Sequence, residues 1–291
     1  MSDNALFLSF HAKLEVGTVQ SVSTVGAGFV AGLLEAVARL GITRADLLQR
    51  ADLDPQALDG ASARLAVVDV IALFDAAVAL SGRGDIGLEF ARHVRPGTFH
   101  VLGYALMTCK TLGEAIALVP HYRRLVFDIG YSEMRLASHG QDVWLGWHVL
   151  PPAHVYSATL AEALIASWYV FGRWIAGALL PLKEVRFTHR APADVAAYQQ
   201  FFDCPVRFCS DQNALVFSRE LLDMPLVQAD ETLHLAMREQ ARAAMEKAFN
   251  QQDIATRLRH ALMPLMPKCE ATLRHCAQTM AMSPRTLQRR L

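Results

Sequence analysis

Residues 133–149 alternate between apolar and polar side chains on either side of a short segment that contains Gly140. Alternation with a period of two is typical of a β-strand, and a short glycine-containing connection is typical of a hairpin turn. Strands are therefore predicted at 133–138 and 143–149. Because much of the remaining chain repeats its apolar residues at helical spacing, we expect an α+β fold.

Helical spacing, together with helix-ending residues such as Gly41 and Gly82, predicts further elements around this hairpin. The predicted helices run from Phe29 towards Gly41 and over 45–50, 55–58, 67–80, 157–178, 192–202 and 236–249. Further short strands are predicted at 185–188, 206–208 and 214–217. The region between Phe29 and residue 84 is predicted to be entirely helical, and a loop is predicted to precede it.

Charge is distributed unevenly along the chain, although its 28 basic and 28 acidic residues cancel overall. Residues 236–291 hold ten basic and four acidic side chains, a balance of +6, which leaves −6 in residues 1–235. A basic C-terminal segment suits a polyanionic partner, because Lys and Arg release counterions from phosphates. The length of 291 residues also exceeds one typical domain. Domain boundaries are therefore predicted near residues 235 and 250.

Two short helices joined by a tight turn are predicted at residues 272–291. Thr272 and Ser283 are good N-cap residues, and Pro284 fits the first position of the second helix. The small side chain of Ala277 would let the two helices approach closely. The inward-facing residues of the second helix are predicted to be Leu287 and Leu291. A preceding helix is predicted from the apolar stripe Ile254, Leu258, Ala261 and Leu262.

The second of these helices presents Arg and Gln side chains on its outer face. At 100° per residue, an inward Leu287 places Gln288 about 100° away and Arg285 and Arg289 about 160° away. Arg pairs bidentately with guanine and Gln with adenine, each contact giving about 1–3 kcal/mol of discrimination. The pattern favours a helix-turn-helix that reads the major groove. The alternative is a solvated basic helix end.

Residues 277–291 resemble the first helix-turn-helix of AraC/XylS-type transcriptional regulators, and they read AQTMAMSPRTLQRRL. The preceding region resembles the effector-binding domain of one subgroup of that family. The matching segments are GYAL at 103–106, TLGEA at 111–115, VRFTHRAP at 185–192, PVRF at 205–208 and LDMPL at 222–226. The resemblance covers nearly the whole chain.

The resemblance implies a ligand-responsive transcriptional regulator that binds operator or promoter DNA as a homodimer in the cytoplasm. It implies an effector-binding and dimerisation domain at 1–235, a linker helix at 236–250 and the first helix-turn-helix at 251–291. It assigns base reading to Arg285, Gln288 and Arg289. It makes Thr286 and Arg290 neighbours suited to phosphate contacts.

The sequence departs from the family pattern at two points. Ala281 stands where the family usually has Gly, and Ala costs about 1 kcal/mol if the turn requires a left-handed residue. The family also carries two helix-turn-helix units. Because the chain ends within the recognition helix of the first unit, we expect a truncated DNA-binding domain that binds its operator weakly or not at all.

Candidate effector-binding residues are polar or aromatic side chains set among apolar neighbours, as in most ligand pockets. They are His100, Tyr104, Arg123 and Trp147, with Arg124, Trp144 and His148 as further candidates. The alternative interpretation is that the histidines have a structural role and the arginines are solvated. Only one of the two tryptophans can then face a given cavity. By resemblance, the effector is a metabolite or a fatty acid.

Other functional classes lack support in the sequence. No secretory signal or membrane span is predicted, and no Walker, GxSxG, HExxH or dinucleotide motif is present. No catalytic residue, cofactor or metal site is therefore predicted. Five cysteines without metal-binding spacing suggest reduced thiols, and Cys204 and Cys209 are expected to be buried. The alternative function is a small-molecule sensor or an enzyme whose basic C-terminal helices are incidental.

Overall fold

The structure, a computed structural model, describes residues 23–58, 64–129, 132–149, 157–250, 258, 262 and 272–290. These residues form both helices and strands, which confirms the α+β class. The α-helices are α1 (Ala27–Ala38), α2 (Arg44–Arg50), α3 (Val67–Ser81), α4 (Ile86–Ala91), α5 (His100–Met107), α6 (Leu112–Tyr122), α7 (Ala158–Ala176), α8 (Val195–Phe202), α9 (Glu231–Asn250), α10 (Leu273–Thr279) and α11 (Pro284–Arg290). The strands are β1 (Thr24–Gly26), β2 (Arg64–Ala66), β3 (Phe127–Asp128), β4 (Ser132–His139), β5 (Asp142–Val149), β6 (Leu182–Arg186), β7 (Val206–Arg207) and β8 (Asn213–Ser218). Single turns of 3-10 helix lie at Pro55–Leu58, Pro96–Phe99, Arg123–Leu125 and Arg219–Asp223.

The first helices begin and end at residues that satisfy unpaired backbone groups. The Thr43 hydroxyl accepts a hydrogen bond from the Asp46 amide, and the Asp46 carboxylate accepts one from the Thr43 amide, which together form a capping box at α2. Gly82 ends α3 in the left-handed conformation, with φ of 66°. Gly41 is also left-handed and follows α1 closely. Both glycines act as the sequence predicted.

The region before residue 84 is not entirely helical, which corrects the prediction. Strands β2, β1 and β3 form a three-stranded antiparallel sheet in that order. The buried Val25 pairs with Leu65 on one side and Phe127 on the other. Strands of two or three residues are too short to show a period of two, so their pairing leaves no local signal in the sequence.

The second sheet contains the predicted hairpin and has the order β4-β5-β8-β6-β7. Leu136 pairs with Leu145, and Gly140 takes a positive φ of 65° in the turn between β4 and β5. The hairpin is confirmed. Strand β6 begins at Leu182, earlier than predicted, and pairs in parallel with β7 through Val185 and Val206.

Helix α7 contributes more buried residues than any other helix of the described chain, and many of them belong to the main core. A Cβ atom at Gly87 of α4 would lie 2.7 Å from the Thr159 carbonyl oxygen of α7. Only glycine therefore permits α4 and α7 to approach this closely. The close approach brings Ile86 and Phe90 into the core beside Leu160.

Gly103 lies inside α5, although glycine has a poor helix propensity. A Cβ atom at Gly103 would lie 2.0 Å from the Pro96 carbonyl oxygen, so α5 crosses the 3-10 turn Pro96–Phe99 in direct backbone contact. The glycine therefore marks a close crossing of two segments. A glycine in a sequence is equally consistent with a turn and with a close crossing of two segments. Only the fold distinguishes the two.

Helix α9 begins at Glu231, before the predicted start at residue 236, and leads towards the C-terminal helices. Among the described residues, no helix combines the length and apolar content needed to cross a bilayer.

Cys109, Cys204, Cys209 and Cys276 carry free thiols. Cys204 is half-buried and Cys209 is exposed, so their predicted burial was wrong for Cys209. A positive φ of 53° at Cys209 accompanies its position on the surface.

Candidate functional site

Helices α10 and α11 form a short helix-turn-helix, and both begin at the predicted caps. The Thr272 hydroxyl accepts a hydrogen bond from the His275 amide at 3.2 Å. The Ser283 hydroxyl accepts one from the Thr286 amide at 3.0 Å, with Pro284 at the first helical position. Because these caps satisfy amides that would otherwise be unpaired, each helix starts at a defined residue.

The turn between the helices places Ala281 in the left-handed region, with φ of 53°. The Met282 amide donates to the Ala277 carbonyl at 2.9 Å, and the Ala281 amide donates to the Gln278 carbonyl at 3.0 Å. These bonds close the end of α10 around Ala281. The conformation for which glycine is the best residue is therefore held by an alanine, as the sequence comparison with the family anticipated.

The corner has a small hydrophobic core of its own. Leu287 of α11 is fully buried, and it packs against Cys276 and Ala277, which are also fully buried. Burial raises the pKa of the Cys276 thiol, so it packs as a neutral side chain. The remaining buried members of this core are Met280, Leu258 and Leu262. Leu258 and Leu262 confirm part of the predicted upstream stripe; Ile254, Ala261 and Leu291 lie outside the described residues.

Because Leu287 points inward, the opposite face of α11 points outward. Arg285, Gln288 and Arg289 are exposed, and the two guanidinium groups form no ion pair with any described residue. The Thr286 hydroxyl lies 2.8 Å from the Ser283 hydroxyl and is half-buried. Arg290 ends α11. The arrangement presents uncompensated positive charge on one edge of the corner.

A separate apolar cavity of about 80 Å³ lies between α6, α7 and the five-stranded sheet. Its walls include Ala115 and Ile116 of α6, Phe171 of α7, and Leu145 and Leu215 of the sheet. Among its lining residues only the indole of Trp168 and the phenol of Tyr169 bear polar side-chain groups. Burial raises the pKa of the Tyr169 phenol, while the charge of Arg173 opposes that shift, so the phenol stays neutral.

A second cavity of about 60 Å³ adjoins the first and contains two of the predicted effector residues. Arg123 and Trp147 both line it. Val119, Met134 and Trp168 line both cavities. Met134 therefore contacts both spaces, and Met side chains adapt readily to their surroundings.

The other predicted effector residues lie elsewhere. His100 and Tyr104 are exposed on α5 and line neither apolar cavity. Trp144 faces away from Trp147, as its strand position predicts, and its ring lies 3.9 Å from the Arg186 guanidinium carbon. The Arg124 guanidinium pairs with Asp128 at 3.0 Å.

Sequence reasoning missed the apolar residues that form most of the cavity wall. Ala115, Tyr169 and Phe171 belong to regular helical stripes, and a stripe that lines a cavity has the same spacing as a stripe that fills a core. The one available signal was the small side chain of Ala115, because the other α6 residues that line the cavity are larger. The sequence alone does not show which helix or strand faces each stripe.

Comparison with known proteins establishes the family. Residues 41–226 match the profile of the arabinose-binding domain of AraC transcription regulators, an N-terminal domain. The chain belongs to the AraC family. Its members are ligand-responsive transcription regulators with an effector-binding N-terminal domain, and the matched range contains both apolar cavities.

Individual relatives agree with this assignment. The ornithine utilization regulator of Pseudomonas aeruginosa is 27% identical over 278 residues, which cover 92% of this chain and 78% of the relative. The HTH-type transcriptional regulator VirS of Mycobacterium tuberculosis is 24% identical over 268 residues, which cover 89% and 76%. The crystal structure of the regulator CdpR from Pseudomonas aeruginosa superposes with a TM-score of 0.52 at 19% identity, covering 88% of this chain and 77% of that one. That likeness shows a shared fold.

Proposed function

We propose that α11 is the recognition helix of this AraC-family regulator and that it reads bases in the major groove of operator DNA. Arg285, Gln288 and Arg289 supply the base contacts. Thr286 and Arg290 contact the phosphate backbone. The burial of Leu287 carries the proposal, because it fixes which side of α11 faces away from the corner.

The experiment is a binding titration of the full chain against a DNA site enriched from a random library. Arg289→Ala should weaken binding by about five- to 150-fold and relax the preference at one base pair, the loss of a 1–3 kcal/mol contact. Arg290→Ala should weaken all sequences equally and lower the slope of affinity against salt by about one. The matched control is Arg242→Ala, because Arg242 is an exposed arginine already paired with Glu239 and Glu246.

The alternative function gives the opposite results. If the protein is a small-molecule sensor or an enzyme with incidental basic helices, Arg289→Ala should bind DNA as Arg242→Ala does and show no change of preference at any base pair. Equal loss for both variants would also refute base reading, because it would show general electrostatic attraction alone.

We also infer that the effector binds in the two adjoining apolar cavities within 1–235 and is mostly apolar. A sugar would need hydrogen-bonding partners for each hydroxyl, and these walls offer few. Of the two ligand classes expected from the family, a fatty acid fits better than a polar metabolite. Arg123 at the second cavity has the charge to face a carboxylate.

This inference is tested with decanoate and a thermal-shift measurement. Decanoate should raise the melting temperature of the wild-type protein, because a ligand that binds the native state stabilises it. Ala115→Leu, which fills the first cavity, should abolish that rise. Ala117→Leu on the exposed face of the same helix should keep it. Equal shifts in both variants would place the ligand elsewhere.

The remaining features of the proposal concern organisation. The effector domain occupies 1–235, the linker helix 236–250 and the first helix-turn-helix 251–291, and the protein acts as a cytoplasmic homodimer. No catalytic activity, cofactor or metal is proposed.

A further inference from the structure

A polar cleft lies between α9 and the helices α5 and α6, outside the apolar cavities. Its volume is about 440 Å³, several times that of either cavity. Its charged, imidazole and phenol side chains are Lys110, Glu114, His121, Tyr122, Glu231, His234 and Arg238. The space is large enough for a small metabolite.

Two acidic side chains lie at the end of the cleft where both helices begin. Glu114 is in the first turn of α6, and its carboxylate accepts a hydrogen bond from the Lys110 amide at 2.9 Å. Glu231 is in the first turn of α9 and lies 3.7 Å from the Lys110 ammonium, with most of its side chain exposed. The Glu231 carboxylate therefore keeps acceptor capacity for a second cation.

A basic group lies two turns further along α9. Arg238 lines the cleft and forms no hydrogen bond or ion pair with any residue in the part of the chain that the structure describes. His121 and Tyr122 lie in the last turn of α6 and line the same cleft. His121 Nδ1 lies 3.2 Å from the Ala117 carbonyl, to which it donates, and this directs Nε2 away from the α6 backbone.

Helix α9 contacts the effector domain through few buried groups. Among its described side chains at 231–248, only Ala241 is buried. At its start, the Asp230 amide donates to the Thr108 carbonyl at 3.2 Å. His234 Nδ1 donates to the Ala105 carbonyl at 3.2 Å, at the end of α5. So few contacts leave room for a molecule bound in the cleft to change how firmly α9 is held.

We propose that this cleft binds a small zwitterion of the amino-acid class. Arg238 pairs with its carboxylate, and Glu231 accepts from its ammonium group. Because Glu114, His121 and Tyr122 of α6 line the same cleft, the bound molecule also contacts α6 and so holds α9 against the effector domain. A phosphate ester fits less well, because its second negative charge would face Glu114 and Glu231 without a second unpaired cation.

The first test is isothermal titration of the full chain with 4-aminobutyrate, which is too polar for the apolar cavities. We expect saturable binding that Arg238→Gln weakens by about tenfold or more, as the loss of a charge-assisted pair does. Arg238→Lys, which keeps the charge, should lose less than Arg238→Gln. Glu231→Gln should also weaken binding, while Arg242→Gln on the next turn of α9 should leave it unchanged.

Two comparison ligands make the assignment specific. Butyrate lacks the ammonium group and 4-aminobutanamide lacks the carboxylate, so each should bind more weakly than 4-aminobutyrate. Equal binding by butyrate or by inorganic phosphate would overturn the zwitterion assignment. The proposed site would be refuted if 10 mM 4-aminobutyrate did not bind, or if Arg238→Gln bound it as tightly as the wild-type protein does.

The second test measures hydrogen exchange of the amides at 230–238. Saturating 4-aminobutyrate should slow their exchange, because the ligand stabilises the docked position of α9. Unchanged exchange at confirmed saturation would refute the effect on α9. Neither measurement involves DNA or decanoate, so a failure here is separate from a failure of the proposed regulator function.

Discussion

The Tyr198 phenol donates a hydrogen bond to Glu162 Oε1 at 2.9 Å, and both side chains are buried in the core. This bond joins α8 to α7. His189 Nε2 lies 3.2 Å from the same carboxylate oxygen. Within the described chain, Glu162 Oε2 has no hydrogen-bond partner, so the carboxylate depends on these neighbours.

Replacement of Tyr198 by Phe should therefore destabilise the protein. The variant keeps the ring in its aromatic cluster but removes a donor to a buried carboxylate, a loss of about 1.5–3 kcal/mol. The free energy of unfolding from urea titration measures it. Tyr104→Phe is the control, because Tyr104 is 46% exposed and should change stability by no more than about 0.5 kcal/mol. An unchanged free energy of unfolding in Tyr198→Phe would show that this hydrogen bond makes no net contribution to stability.

The contact between His189 and Glu162 should make stability depend on pH. Burial alone lowers the pKa of the His189 imidazole, but the Glu162 carboxylate and the Arg190 carbonyl outweigh burial and raise the pKa above its ordinary 6.5. A raised pKa in the folded state means that protonated His189 stabilises the fold. Its contribution is complete below pH 6.5 and is lost as the pH rises through the folded-state pKa.

This expectation is measured as the difference between wild type and His189→Gln. The free energy of unfolding should differ most at acidic pH and least at alkaline pH. Subtracting the two pH profiles removes the contributions of the other histidines. A difference that grows as the pH rises would reverse the sign and contradict the assignment.

Some parts of this fold could be predicted because their signals are local. The β4–β5 hairpin has alternation on both sides of Gly140, and the caps of α10 and α11 depend on side chains three residues from the amides that they bind. Each of these features is specified within a few consecutive residues. The inward position of Leu287 followed from helical geometry alone.

The parts that escaped prediction depend on distant contacts. Strand β1 pairs with Leu65 and Phe127, which lie far from it in the sequence. A strand of three residues is also too short to show the alternation of apolar and polar side chains. The apolar cavity requires α6, α7 and the sheet to meet, so Arg123 and Trp147 were identified by residue type while Ala115 was not. Residue chemistry suggests candidates, and tertiary packing decides which of them share a space.

Ala281 gives a prediction in the stabilising direction. Its φ of 53° costs an alanine about 1 kcal/mol more than a glycine. Ala281→Gly should therefore stabilise the helix-turn-helix and slow hydrogen exchange of the Met282 amide by about fivefold. Ala277→Gly is the contrasting control: Ala277 is buried in a helix, so glycine there should speed the same exchange. Faster exchange in Ala281→Gly would show that the turn is not strained.

Gly103 is the position where an added methyl group should be most damaging. Alanine has the better helix propensity by about 1 kcal/mol, yet its Cβ would lie 2.0 Å from the Pro96 carbonyl oxygen, a rigid backbone atom. Relief requires α5 to move away from Pro96–Phe99, and such overpacking costs about 1–3 kcal/mol or more. Gly103→Ala should lower the melting temperature by several degrees. Gly84→Ala is the control, because a Cβ there meets no atom within 4 Å. Equal melting temperatures for the two variants would mean that α5 and the Pro96 segment are not in contact.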